Sequence, residues 1–251
     1  MGKKAIGIDI GGTGIKAGVV DTKVGALIGD RLRVETPSGG EPQEIASACR
    51  TLIERLSAKS SLPVGICFPA VVKHGVTHSA ANVSKAWIGL NADALFQDEL
   101  KRHVHVINDA DAAGAAEMKF GAGRGSKGLT IMTTLGTGIG TALFYNGVLI
   151  PNSELGHLEI DGYDAETKAA FSAKEREDLS FSAWAERLQR YYETLERLLT
   201  PDLFIVGGGI SKSHQEFVPL LKLQTPIVPA TTKNSAGIIG AASLAYLNSF
   251  D

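Results

Sequence analysis

The sequence predicts an α/β protein of two domains flanking a cleft, each domain built on the same plan. Three observations carry that prediction. Short strands joined by tight turns open the chain and are followed by alternating helices and strands. The same series starts again near residue 128. Apolar strands run into glycine-rich turns at 11–14, 136–140 and 207–209, at corresponding places in the two series. No linker or low-complexity tract intervenes, so the repeat is one of architecture rather than of sequence. The expected division is a small N-terminal domain, 1–108 plus 236–251, and a larger C-terminal domain, 109–235.

Taken in order, strands are expected at 5–10, 14–21 and 25–35. From Pro42 to Ser57 the apolar residues Ile45, Ala48, Cys49, Leu52, Ile53 and Leu56 recur at helical spacing, and Pro42 suits a first turn. "PVGICF" (63–68) reads as a buried strand, and a Gly/His/Asn-rich segment then leads to a short helix near 91–102. "VHVI" (104–107) is a strand that ends at Asn108-Asp109, and 110–120 is strongly helical. In the second series, strands are expected at 128–133, 141–145 and 148–150, with Asn146-Gly147 as a hairpin turn. A long polar and helical region covers 164–200. Strands at 203–206 and 227–228 and a closing helix at 235–248 complete the chain.

Composition limits the function. The 251 residues are 44% hydrophobic and 21% charged, the proportions of an ordinary globular protein with a real core. The formal net charge of −2 argues against general nucleic-acid affinity. No apolar run is long enough to span a bilayer, and Met1-Gly2-Lys3-Lys4 lacks the apolar stretch of a signal peptide. Cys49 and Cys67 read as buried reduced thiols, which places the chain in the cytoplasm.

The first glycine turn raises the chemical question. Gly12 to Ala17 fits the dinucleotide pattern G-x-G-x-x-A, but that pattern must open a helix. "IKAGVVD" (15–21) reads as a strand instead, so the unit is a hairpin. No G-K-[ST] closes the stretch, which excludes a Walker loop. A hairpin turn without a ligand is the plain alternative. Against it stands Asp9, an acid at the end of an apolar strand, suited to a metal ion carried by a phosphate. Three such turns suggest a single nucleotide or polyphosphate held by backbone N–H groups.

Two further stretches carry candidate chemistry. Asn108-Asp109 sits before a helix, where either side chain could simply cap it. Asp109 could also take a proton from a substrate hydroxyl, the one side-chain service phosphoryl transfer needs beyond a metal and a phosphate cradle. "NSELGHLEI" (152–160) carries Glu154, His157 and Glu159. Glu154 and His157 are three apart and share a face on one helical turn. The set reads as a metal site, a hydroxyl-binding cluster for a polyol, or an exposed loop. Zinc is disfavoured because no cysteine follows Cys67.

The motifs "IGIDIGGTGIKAGVVD", "INDADAAGAAE", "TTLGTGIGTALFYNGVL", "ELGH" and "IVGGGI" together resemble the bacterial ROK family of repressors, open reading frames and sugar kinases. Within it, "AANVSKAWIGL" and "PNSELGHLEI" look like the polyphosphate glucokinases. The resemblance implies the duplicated ribonuclease H-like fold of actin and hexokinase. It implies a glucokinase that uses Mg²⁺, with ATP or inorganic polyphosphate as donor. Asp109 resembles the catalytic base acting on the sugar 6-hydroxyl, and Asn82, Asn108, Glu154 and His157 resemble sugar contacts. Asp9, which would also serve Mg²⁺, resembles part of the first phosphate loop with Gly11, Gly12, Thr13 and Lys16. Thr134, Gly136, Thr137 and Gly138 resemble the second loop, and Gly208 and Gly209 the nucleotide-side loop. Many members follow the "GH" with a Cys-rich zinc motif; here "LEIDGYDAETKAAF" stands instead, so no zinc is expected. The sugar-binding Glu after that motif then falls to Glu159 or Glu166. The expected partners are glucose and the donor, with no nucleic acid or membrane, and the expected assembly is a homodimer.

Overall fold

The computed structural model describes residues 3–81 and 83–249. The chain divides into two compact units, Met1–Ala116 with Ser235–Asp251, and Glu117–Asn234. The boundary falls inside a helix, at 116 rather than at 108.

The first unit opens with strands β1 (Lys4–Ile10), β2 (Ile15–Asp21) and β3 (Ala26–Val34), followed by helix α1 (Pro42–Leu56) and strand β4 (Val64–Phe68). A two-residue hairpin follows, β5 (Val72–Lys73) and β6 (Val76–Thr77). Helix α2 (Ala92–Leu100), strand β7 (Val104–Asn108) and helix α3 (Asp109–Phe120) come next. The sheet order is β3-β2-β1-β4-β7. The first three strands pair antiparallel, and β1, β4 and β7 pair parallel.

Alternation along β1 sends its side chains to two different layers. Ile6, Ile8 and Ile10 enter an apolar core with Ile45, Cys49 and Leu52 of α1 and Phe96 of α2. The other face meets the last helix, Ala236–Asn248. A Cβ on Gly7 would lie 2.0 Å from the Ile238 carbonyl oxygen, and one on Gly65 would lie 1.9 Å from that of Ala241. Both positions are glycine because the helix backbone rests directly on the sheet. That helix is buried nearly all round, which explains its continuous apolar sequence.

The second unit repeats the plan with β8 (Leu129–Leu135), β9 (Ile139–Tyr145) and β10 (Val148–Ile150). A hairpin of β11 (Glu159–Ile160) and β12 (Tyr163–Asp164) precedes helices α4 (Glu166–Ala169), α5 (Phe171–Arg176) and α6 (Phe181–Leu199). Strands β13 (Leu203–Gly207) and β14 (Ile227–Pro229) complete a sheet of order β10-β9-β8-β13-β14, and the last helix is α7. The two orders match position for position, with two antiparallel strands on one side of the leading strand and two parallel strands on the other. Trp184, Leu188, Tyr192 and Leu195 of α6 pack on Ile131, Leu135, Phe204 and Val206. The phenol of Tyr192 meets the Thr133 hydroxyl at 2.6 Å, so the polar atom each brings into this core is paired.

The strand and helix series expected from sequence is present in order. The expected glycine turn 136–140 is tighter, because β8 runs to Leu135 and β9 begins at Ile139. The expected polar and helical stretch 164–200 resolves into β12 and three helices. The hairpins at 72–77 and 159–164 were not expected, since two-residue strands carry no periodicity to read.

Candidate active site

In the first unit, three parallel strands end side by side. Register places Asp9 opposite Cys67 and Phe68 opposite Asn108, so Asp9, Cys67 and the Asn108-Asp109 pair share the carboxyl edge of β1, β4 and β7. Asp9 Oδ2 accepts from Lys16 Nζ at 3.2 Å, its cross-strand partner on β2. Asp9 Oδ1 accepts from Cys67 Sγ at 3.4 Å. Burial pushes the Cys67 thiol up, and the charges of Asp9 and Asp109 push it further. Both carboxylates therefore act on one buried sulfur.

The turn after Asp9 is closed by the Gly11 N–H donating to the Gly14 carbonyl at 3.2 Å. Arg33 Nη2 donates to the Thr13 carbonyl at 2.8 Å, and the Thr36 hydroxyl donates to the Gly11 carbonyl. A Cβ on Gly14 would strike the Arg33 guanidinium at 2.6 Å. Gly12 and Thr13 are exposed, which leaves their backbone open to a ligand.

Asn108 and Asp109 divide the two roles that the sequence left open. Buried Asn108 accepts from the N–H groups of Ala110 at 2.8 Å and Asp111 at 3.1 Å, and its Nδ2 donates to the Ala70 carbonyl at 3.1 Å. That is the N-cap of α3. Asp109 accepts from the Ala110 N–H at 2.8 Å and its side chain stays exposed. Asn82 lies outside the described residues.

In the second unit, register sets Gly207 against Thr134, so the turns after β8 and β13 are neighbours. The Gly136 N–H donates to the Gly138 carbonyl at 3.0 Å, the same closure as in the first turn. Ser172 ties this turn to α5, its N–H donating to the Gly136 carbonyl and its hydroxyl to that of Thr137. Gly208 has φ 83°, and a Cβ there would lie 2.3 Å from the Leu135 carbonyl oxygen. Backbone strain and lack of space both require glycine at that position. Gly209, also exposed, opens the short 3₁₀ segment Gly209–Glu216.

The same unit collects a histidine and three carboxylates. A single 3₁₀ turn, Leu155–His157, sets His157 Nε2 4.0 Å from Glu154 Oε2. His157 Nδ1 meets Asp164 Oδ2 at 2.8 Å and lies 3.9 Å from Glu166 Oε1. The hydrogen bond to Asp164 raises the imidazole's pKa above its ordinary value, and the Glu166, Asp164 and Glu154 charges add to this against partial burial. Burial raises the Glu154 carboxyl, with His157 opposing and Glu166 reinforcing the shift. Glu166 Oε2 accepts from the Ile139 N–H at 3.0 Å, so one carboxylate braces the second glycine turn and faces His157.

Of the two acids left open after "ELGH", Glu166 joins this cluster, whereas Glu159 sits exposed on β11, paired across the hairpin with Asp164. The sequence reading passed over Asp164; its signal was an acid closing a hairpin that follows Asp161-Gly162. One ligand atom from each of His157, Asp164 and Glu166 falls within a 4.8 Å group, close enough for a cation as well as for hydroxyls.

Known proteins resemble this chain over most of its length. The ROK family model matches residues 5–174. The polyphosphate glucokinase of Mycobacterium tuberculosis (strain CDC 1551 / Oshkosh) is 47% identical over 241 residues, which cover 96% of this chain and 90% of that protein. The crystal structure of inorganic polyphosphate/ATP-glucomannokinase from Arthrobacter sp. strain KM matches with a TM-score of 0.93 and 54% identity, covering 98% of this chain and 99% of that one. A ROK family glucokinase from Streptomyces griseus, in complex with glucose and AMPPNP, matches with a TM-score of 0.79 and 25% identity over 97% of this chain and 99% of that one. With such neighbours, the two sheets of matching order are the duplicated ribonuclease H-like fold of the hexokinase type. The family match covers more than half of the sequence, and the chain belongs to the ROK family.

Proposed function

We propose that the chain is a glucokinase that transfers a phosphoryl group from inorganic polyphosphate, ATP or both to the 6-hydroxyl of glucose. One observation carries the mechanism. Asn108 caps α3, and Asp109 stands exposed at the same strand edge as Asp9 and the first glycine turn. Asp109 takes the proton of the 6-hydroxyl as that oxygen attacks the terminal phosphorus. The bond from phosphorus to the bridging oxygen breaks, and shortened polyphosphate or ADP leaves with the electron pair. Glu154, His157 and Glu166 hold the other sugar hydroxyls, with Asn82 and Asn108 as further contacts. The turns at 11–13, 134–138 and 208–209 offer backbone N–H groups to phosphate oxygens, with Lys16 beside the first.

Asp9 fits a magnesium ion: it is a hard oxygen donor, partly exposed beside a glycine turn, with Lys16 and Cys67 fixing its orientation. When bound, magnesium neutralises charge on the donor phosphates, and Asp9 would hold it directly or through water. The buried reduced thiols Cys49 and Cys67 support the cytoplasmic assignment, and no helix among the described residues is long and apolar enough to cross a membrane. The expected homodimer is tested by light scattering. A coupled assay of glucose against ATP and long-chain polyphosphate tests the reaction, and no turnover with either donor would overturn it. Mannose is a second acceptor on this reading, supported by 54% identity to a glucomannokinase, and belongs in the same assay.

Glu154→Gln and His157→Ala are expected to raise the KM for glucose and to leave that for the donor nearly unchanged. Each lost bond to a buried polar partner should cost about 1–3 kcal/mol. An unchanged glucose KM in both variants would remove the cluster from the sugar site, and stoichiometric zinc in the purified protein would make it a metal site instead. The imidazole pKa is raised from 6.5, so protonated His157 persists into more alkaline solution. Glucose KM should then rise as the pH climbs through the raised value.

The donors should differ in their salt response. Lys85, Arg124, Lys127 and Lys212 are exposed, and Lys16 is partly so. Exposed charges are screened over about 8 Å at physiological salt. A polymer that touches several of them loses affinity with added NaCl faster than ATP, which is gripped mostly by backbone and metal. KM for long-chain polyphosphate is therefore expected to rise more steeply with NaCl, and neutralising Lys85 or Arg124 to harm polyphosphate use selectively. Equal slopes would show that these cations do not form a polymer track.

A further inference from the structure

The second unit contains a cavity of about 360 Å³ between the β11–β12 hairpin, α4 and α6. None of the nine residues that line it belongs to the sugar or phosphate positions proposed above. Its wall carries three cations, Lys168, Arg187 and Arg190, against one carboxylate, Asp161. That excess of positive charge is local, since the whole chain carries −2.

The cations are held in place. Arg190 forks onto Asp161, with Nε and Nη2 donating at 2.8 and 2.7 Å. Arg187 donates to Glu177 at 2.6 Å and to the Lys168 carbonyl at 3.3 Å. The Lys168 ammonium sits over the Tyr163 ring, 5.1 Å from its centroid. Such tethers lower the entropy cost of collecting several donors on one ligand. Tyr163 and Tyr191 add aromatic surface to the wall.

We propose that this cavity binds a phosphate monoester of about sugar size. Arginine and lysine together match a phosphate group by charge and by forked donors. The remaining wall is aliphatic and aromatic, Ile160, Ala165 and Ala169 with Tyr163 and Tyr191, and the volume lies in the range of small organic ligands rather than that of a bare ion. The organic portion rests on the aliphatic and aromatic wall, and the phosphate sits toward the cations.

Trp184 provides the reporter. Its indole N–H donates to the Ala169 carbonyl at 3.0 Å, and Ala169 lines the cavity. A Trp87→Phe background leaves Trp184 as the sole tryptophan. Glucose 6-phosphate is titrated with glucose held saturating, so that the acceptor site is filled. Trp184 emission is expected to change saturably, with orthophosphate at least about tenfold weaker. Lys168→Glu should weaken the binding of glucose 6-phosphate by about tenfold or more. Arg187→Gln, which removes one wall cation without reversing its charge, should weaken it several-fold and preserves a test if the charge reversal fails to fold. Absence of a saturable change, the same affinity in both variants, or orthophosphate binding as tightly as the sugar phosphate would overturn the proposal.

Discussion

Asp109→Asn is expected to lower kcat with glucose by about 10²–10⁴-fold, with the KM values for glucose and donor changing far less. The substitution keeps the size of the side chain and an amide oxygen that can still accept from the Ala110 N–H, so α3 should start unchanged. Capping is not at stake, because Asn108 already accepts from the Ala110 and Asp111 N–H groups. What is removed is an atom that can receive a proton. An Asp111→Asn control near the same helix start separates loss of a base from loss of negative charge there. Near-wild-type turnover in Asp109→Asn would refute the assignment of the base. A large rise in glucose KM at unchanged kcat would make Asp109 a binding residue only.

The order of strands and helices was legible because it rests on local periodicity and turn residues. "IKAGVVD" declared itself a strand, and that alone excluded the dinucleotide reading of Gly12 to Ala17. The sheet orders were not legible, but the duplicated series implied that they would match. Residues whose reason lies in a distant segment stayed hidden. Gly7 and Gly65 look like ordinary strand glycines until the backbone of α7 is laid on them. Cys67 read as a buried thiol, which it is; its bond to Asp9 follows from the parallel register of β1 and β4, which single-sequence periodicity does not reveal.

The candidate site shows the same division. The glycine turns, Asp9, Asn108 and Asp109 announce themselves by sitting at strand ends. In the sequence either Asn108 or Asp109 could cap the helix, with Asp109 alone a candidate base, and hydrogen-bond geometry gives the cap to Asn108. Around His157, Glu154 is close in sequence and was found, whereas Asp164 and Glu166 arrive through the β11–β12 hairpin. A turn of two-residue strands leaves almost no pattern, so Glu166 could be named only beside Glu159.

Glu117→Ala is expected to destabilise the protein by several kcal/mol without touching any residue of the proposed sites. Glu117 is fully buried, and its carboxylate accepts from the N–H groups of Ala122, Thr231 and Thr232 and from both threonine hydroxyls. It is the first residue of the second unit, and its partners Thr231 and Thr232 lie just before the chain returns to the first unit at Ser235. Alanine leaves these donors without an acceptor, at about 1–3 kcal/mol for each one that stays dry. Glu117→Gln keeps an acceptor oxygen but turns the other oxygen into a donor facing donors, so it should recover only part of the loss. The acid dependence provides a second readout. Burial pushes the Glu117 carboxyl up, but the Thr232, Ala122 and Thr231 donors outweigh it and hold the carboxyl below its ordinary 4.5. A lowered folded value means that the stabilisation is fully present above the unfolded pKa and is lost as the pH falls through the folded one. Urea midpoints of the parent protein should therefore drop more steeply below pH 4.5 than those of Glu117→Gln, which has no proton to gain at that position. Parallel midpoint curves, or a loss under 1 kcal/mol in Glu117→Ala, would mean that water reaches the Thr231 and Thr232 donors and that the carboxylate is not what holds this crossing of the chain.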